Sequence, residues 1–114
     1  MERIHRQIVL DLTIRTLERD RKYINHLKMH RAFENWYEEK IKELNTELRK
    51  TKSDLYKQGA KILTQTVDGD FTIYEILDRG STYERRYSNI ALRNWCEEET
   101  KRLLELPYRT TASG

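Results

Sequence analysis

Apolar positions change their spacing once along this chain, near Gly59, and the change divides two architectures. Before Gly59 there is no Gly and no Pro, the two strongest local breakers of helices. Leu10, Ile14, Leu17, Ile24 and Leu27 recur at helical spacing, with Ile4, Ile8 and Leu12 as a neighbouring stripe. Ile8, Leu10, Leu12 and Ile14 also alternate, as in a strand. A helix over about residues 2–28 accounts for more of the pattern. Around His26–Ala32 the chain either bends or continues as one very long helix. From Phe33 onward the apolar residues are Trp36, Tyr37, Ile41, Leu44, Leu48, Leu55 and Ile62, and those from Ile41 on trace a heptad seam, interrupted by Thr51 and Gln58. This predicts a second helix over 34–60, capped by Asn35, about 40 Å long and packed antiparallel on the first.

After Gly59 the residues turn to Thr, Val, Tyr and Ile. Asp68-Gly69 between apolar-rich flanks predicts a two-residue hairpin turn with positive φ at both central residues. It joins strands over 62–67 and 70–78. Phe71, Ile73 and Leu77 share one face of the second strand, Tyr74 and Ile76 the other. Arg79-Gly80-Ser81 marks another turn, before a third strand over 82–87. Ser88 or Asn89 caps a last helix with the stripe Leu92, Trp95, Cys96, Leu103 and Leu106, broken by Glu99. Pro107 stops it, and 108–114 form a disordered tail. The expected fold is α+β: a long N-terminal helical hairpin (1–60), a small antiparallel sheet and a C-terminal helix (61–107), in one elongated domain.

Composition refines this picture. Leu, Ile, Val and Phe make up 26 of 114 residues, about 23%, just above the range expected of disordered chains. The core is therefore thin, and a homodimer is the expected way to complete it, the long helices associating with a second copy. Residues 1–58 carry 14 basic and 10 acidic side chains, residues 59–114 carry 8 and 9. Neither half has the basic excess of a dedicated nucleic-acid binder. The lone Cys96 permits no internal disulfide and fits a cytoplasmic home. No apolar run is long enough to span a membrane, and Asp11 interrupts the run that would make a signal peptide.

Candidate chemistry is sparse. His26, His30 and Glu34 fall at i, i+4, i+8, a spacing that would gather metal ligands on one helix face, but the same side chains equally border a helix contact. Asp68, Asp70, Glu75 and Asp78 lack the spacing of a calcium loop. With no phosphate-binding Gly-rich loop, no nucleophile elbow and Cys96 on an apolar stripe, no catalytic residue, metal or cofactor is assigned. The most suggestive group is Arg79, Tyr83, Arg85, Arg86, Tyr87 and Arg93. Interleaved Arg and Tyr suit phosphates and bases, and equally suit the centre of a protein interface. Alternatively Tyr83, Arg85 and Tyr87 cover the core on one strand face while Arg86 pairs with Glu75 or Asp78.

The stretches Phe71-Thr-Ile-Tyr74, Arg79-Gly80, Arg85-Arg86-Tyr87-Ser-Asn89 and Leu92-Arg93, preceded by Leu17-Glu-Arg-Asp20, carry a resemblance. The chain resembles small uncharacterised proteins of Bacillus and its phages. The resemblance implies a bacterial, cytoplasmic or prophage-borne protein and assigns no functional residue. The expected function is a non-enzymatic interaction, regulatory or adaptor protein acting on a protein partner. The alternative is a nucleic-acid binder using the Arg/Tyr hairpin.

Overall fold

The computed structural model describes residues 2–109. Helix α1 (Arg3–Asp20) runs into a 3₁₀ segment (Arg21–His26), then α2 (His30–Lys57), strands β1 (Ala60–Asp68), β2 (Phe71–Asp78) and β3 (Ser81–Ser88), and helix α3 (Asn89–Leu103). The strands form one antiparallel sheet in the order β1-β2-β3. The α+β class and the element order follow the expectation.

Helix α1 is the centre of the structure. Ile4, His5, Ile8, Val9, Leu10, Thr13, Ile14 and Leu17 are all buried, more than one stripe of a helix can supply. The helix is covered by α2, by α3 and by the sheet, so apolar residues are required around most of its circumference. That is why residues 8–14 alternate like a strand while folding as helix.

The first helix ends at Asp20 rather than near residue 28. The bend falls at Leu27–Met29, where Leu27 turns extended with ψ 142°, and α2 begins at His30, not Asn35. Leu10, Ile14 and Leu17 of α1 pack on Ile41, Leu44 and Leu48 of α2, while Ile4 and Ile8 meet Leu55; the order is antiparallel. The heptad seam is therefore spent within the chain, with Thr51 a buried member of it. Gln58 and Ile62 leave the seam because α2 stops at Lys57, followed by Gly59 at φ +80°.

The core face of the sheet carries Thr72, Tyr74 and Ile76, all buried. Phe71, Ile73 and Leu77 face away from the helices. Asp68 pairs with Phe71, so the two central residues of the first hairpin are Gly69-Asp70, and only Gly69 has positive φ, +58°. The turn is of type II′ with Gly at its first central position, not the expected Asp-Gly turn. The type I′ geometry occurs instead at Arg79-Gly80, at φ +53° and +86°, between the paired residues Asp78 and Ser81. The Arg79 N–H donates to the Gly59 carbonyl at 2.9 Å, tying this turn to the end of α2.

Ser88 caps α3, its hydroxyl accepting from the Ala91 N–H. Asn89 takes a different role. Its amide donates to the Gly69 carbonyl at 3.1 Å, its carbonyl accepts from the buried Thr72 hydroxyl at 2.6 Å, and its backbone N–H bonds the Asp70 carbonyl. The tip of the first hairpin is thus latched to the start of α3. That helix ends at Leu103, before Pro107, through a turn with Glu105 at φ +60°, and Leu106 is exposed rather than on the apolar stripe. Arg109 N–H donates to the Glu98 carboxylate; the rest of the expected tail, 110–114, lies outside the described residues.

Candidate functional site

Side-chain alternation along β3 divides the Arg/Tyr group. Tyr83, Arg85 and Tyr87 pair with Ile76, Tyr74 and Thr72 of the core face. Tyr87 sits in an aromatic cluster, its ring centroid 5.8 Å from Tyr74, 5.7 Å from Trp95 and 6.2 Å from His5, the first two edge-on. Arg85 makes a bidentate ion pair with Glu2 and lies 5.8 Å from the Tyr83 ring centre. Burial alone would lower its pKa, and the bonds to Glu2 and Tyr87 reverse that. Arg86 points out of the opposite face and stacks on Phe71 at 4.1 Å; it pairs with neither Glu75 nor Asp78 among the described residues.

Arg79 stands at the far turn, its side chain 83% exposed. With Tyr83, Arg3 and Glu2 it borders a groove of about 440 Å³ at the N-terminus of α1. Arg93 belongs elsewhere, on α3 near the first hairpin. The structure therefore brings Arg79, Tyr83 and Arg85 to one end, and leaves Tyr87 in the core, Arg86 on the outer face and Arg93 at the other end. His26, His30 and Glu34 share no helix face, because the Leu27–Met29 bend separates the first from the others. Among the described residues no group of three His, Cys, Asp or Glu is placed to hold a metal.

A large cavity lies around Arg93. It is an open cleft of about 690 Å³ between the second half of α1, the tip of the β1–β2 hairpin and one side of α3. Its apolar lining comes from Leu12, Val67, Leu92, Cys96 and Leu104. Arg93, Glu97 and Lys101, four residues apart on α3, line one side, and Thr16 and Asp20 of α1 another. Cys96 is half-buried here. Burial pushes its thiol above the ordinary value, with the Thr13 hydroxyl offsetting part of that rise, so the thiol stays protonated and weakly nucleophilic. The cleft is suited to apolar side chains rather than to acid–base or thiolate chemistry.

The interruption of the α3 stripe by Glu99 has a clear cause. Glu99 is 3% exposed. Arg6 of α1 donates to its two oxygens at 2.6 and 3.0 Å, and Arg102 donates twice to one of them. Arg6 also holds Glu47 of α2 at 2.6 and 2.9 Å. One guanidinium thereby joins three helices. Burial alone would raise the Glu99 pKa; the two guanidinium partners hold it below the ordinary glutamate value.

These features define a small α+β protein with a central helix, an ionic clamp and an open apolar cleft. The chain belongs to the YhjD protein family, whose model matches residues 1–108. No curated protein and no solved structure matches it. No helix among the described residues is long and apolar enough to cross a membrane.

Proposed function

We propose that this protein is a non-enzymatic interaction protein, a regulator or adaptor working as a homodimer in the cytoplasm of a bacterium such as Bacillus, or encoded by one of its phages. The observation that carries the reading is the cleft between α1, α3 and the hairpin tip. It has an apolar lining, a border of both charge signs and an unreactive thiol, which suits the apolar side chains of a protein partner. Arg93 is the member of the Arg/Tyr group that meets this partner. The nucleic-acid alternative draws on Arg79, Arg85 and Arg86, and has less support: Arg85 is neutralised by Glu2 and Arg86 faces away from the other two.

The test is affinity capture from host cells with Thr16→Trp and Leu104→Glu variants, which fill or charge the cleft at exposed positions. Both should lose the partner, while Arg79→Ala retains it. The partner should also protect Cys96 from a thiol reagent. Retention by the cleft variants together with loss by Arg79→Ala would overturn the assignment. Salt-sensitive binding of oligonucleotides by the wild type would favour the alternative.

A further inference from the structure

The two edges of the sheet differ in a way that identifies an occupant for one of them. Strand β3 carries Glu84-Arg85-Arg86 along its outer edge, the kind of charge that protects an edge from pairing. Strand β1 is uncharged from Ile62 to Val67, and its residues 63–68 are all exposed. Its backbone pairs only with β2 among the described residues. Two charges bracket the uncharged run, Lys61 at one end and Asp68 at the other, and neither forms an ion pair within the described residues.

The order of side chains on β1 is complementary to itself. The register with β2 has one irregularity, between Ile62 and Thr64. Ile62, Gln65 and Val67 therefore lie on the helix-facing side, opposite Ile76, Tyr74 and Thr72, while Lys61, Thr64, Thr66 and Asp68 lie on the outer side. An antiparallel second copy of β1, centred on Gln65, matches side for side. Gln65 meets Gln65 of the second copy, Thr64 meets Thr66, the Ile62–Leu63 irregularity meets Val67, and Lys61 meets Asp68. Each contact off the axis occurs twice, as a two-fold interface requires. It joins apolar, hydroxyl and oppositely charged pairs, all favourable across strands. It also covers Leu63 and Val67, which are 40% and 68% exposed. Below the edge, grooves of about 410 and 200 Å³ between β1, α1 and α2 leave room for the inward side chains of the added strand.

We infer that β1 is a strand-addition surface for a second copy of this chain, joining two three-stranded sheets across a two-fold axis at Gln65. The inference rests on the homodimer reading and assigns its interface to the sheet edge rather than to the long helices. The interface adjoins the partner cleft, whose lining includes Gln65 and Val67.

The test uses the full chain in a Cys96→Ser background. Gln65→Cys should form a disulfide-linked dimer under mild oxidation, because directly opposed residues in an antiparallel pair lie about 4.5–5.5 Å apart at Cα, within disulfide reach. Thr82→Cys on β3 should not. In the native background, Lys61→Asp and Asp68→Lys each place like charges across the interface and should weaken the dimer at least tenfold by sedimentation. The double variant, Lys61→Asp with Asp68→Lys, should restore it, which loss of folding could not do. A wild type that remains monomeric in sedimentation would overturn both the homodimer and the edge. A dimer that neither cross-links at residue 65 nor responds to the charge exchange would overturn the edge alone.

Discussion

Replacing Glu99 tests the ionic clamp most directly. The Glu99 side chain is 3% exposed and accepts four charge-assisted hydrogen bonds, two from Arg6 and two from Arg102. Glu99→Ala removes one member of a buried ion pair, a change that costs about 3–5 kcal/mol when the remaining charge has no other partner. Here Arg6 keeps Glu47, and Arg102, 38% exposed, returns to water. The expected cost therefore lies at the lower end, about 3 kcal/mol, equivalent to roughly 10 °C in Tm for a chain of this size. Arg6→Met should cost a similar amount, because it leaves Glu99 buried with Arg102 as its remaining partner. The double variant Arg6→Met, Glu99→Met replaces the pair by apolar side chains and frees Glu47, which is 41% exposed. It should be more stable than either single variant, as matched apolar replacements of buried ion pairs often are. Urea unfolding of the four proteins completes the cycle. If the double variant loses the sum of the two single losses, the clamp is not a coupled unit and the reasoning fails.

The same carboxylate predicts a pH dependence. Its folded-state pKa is depressed below the ordinary glutamate value of 4.5. Its contribution to stability is therefore complete above that value and is lost as the pH falls through the folded pKa. The stability difference between wild type and Glu99→Gln should be constant near neutrality and shrink on acidification. Asn89→Ala should cost about 1–3 kcal/mol, because it leaves the buried Thr72 hydroxyl unpartnered, and hydrogen exchange at the hairpin tip should quicken more than in the centre of β2. Arg79→Asn should raise stability by about 0.5–1 kcal/mol, since Asn accepts the left-handed conformation that Arg79 adopts at φ +53° with less strain, while Gly69→Val, at φ +58°, should lower it; equal melting temperatures for both variants and the parent would refute the turn assignments. Cys96 should react with a thiol reagent more slowly in the folded protein than in urea, with a rate that rises further into the alkaline range than for a free thiol.

Much of this fold is written in local spacing. The seam from Ile41 to Leu55 forecasts the face of α2 that meets α1, and the period-two pattern of β2 separates Tyr74 and Ile76 from Ile73 and Leu77. Misreadings arise where tertiary burial overrides a local signal. Residues 8–14 look strand-like because α1 is covered on several sides. Asp68-Gly69 looks like a type I′ turn, but pairing of Asp68 with Phe71 moves the two-residue loop one position on. Glu99 is visible in the sequence as an interruption, yet its partner, Arg6, is 93 residues away in the chain, and no local pattern joins them. The Arg/Tyr group fails as one surface for a related reason. Strand alternation separates Arg86 from Arg85 by a whole sheet thickness, and neither residue type records which face meets the helices. The cleft is less legible still, because Thr16, Val67 and Leu104 acquire a common role only when three distant elements converge without filling the space between them. The edge of β1 is the opposite case. Its self-complementary order lies entirely within residues 61–68, but it acquires meaning only once the sheet order leaves the outer edge of that strand unpaired among the described residues and the irregularity at Leu63 brings Ile62 and Val67 to the same face.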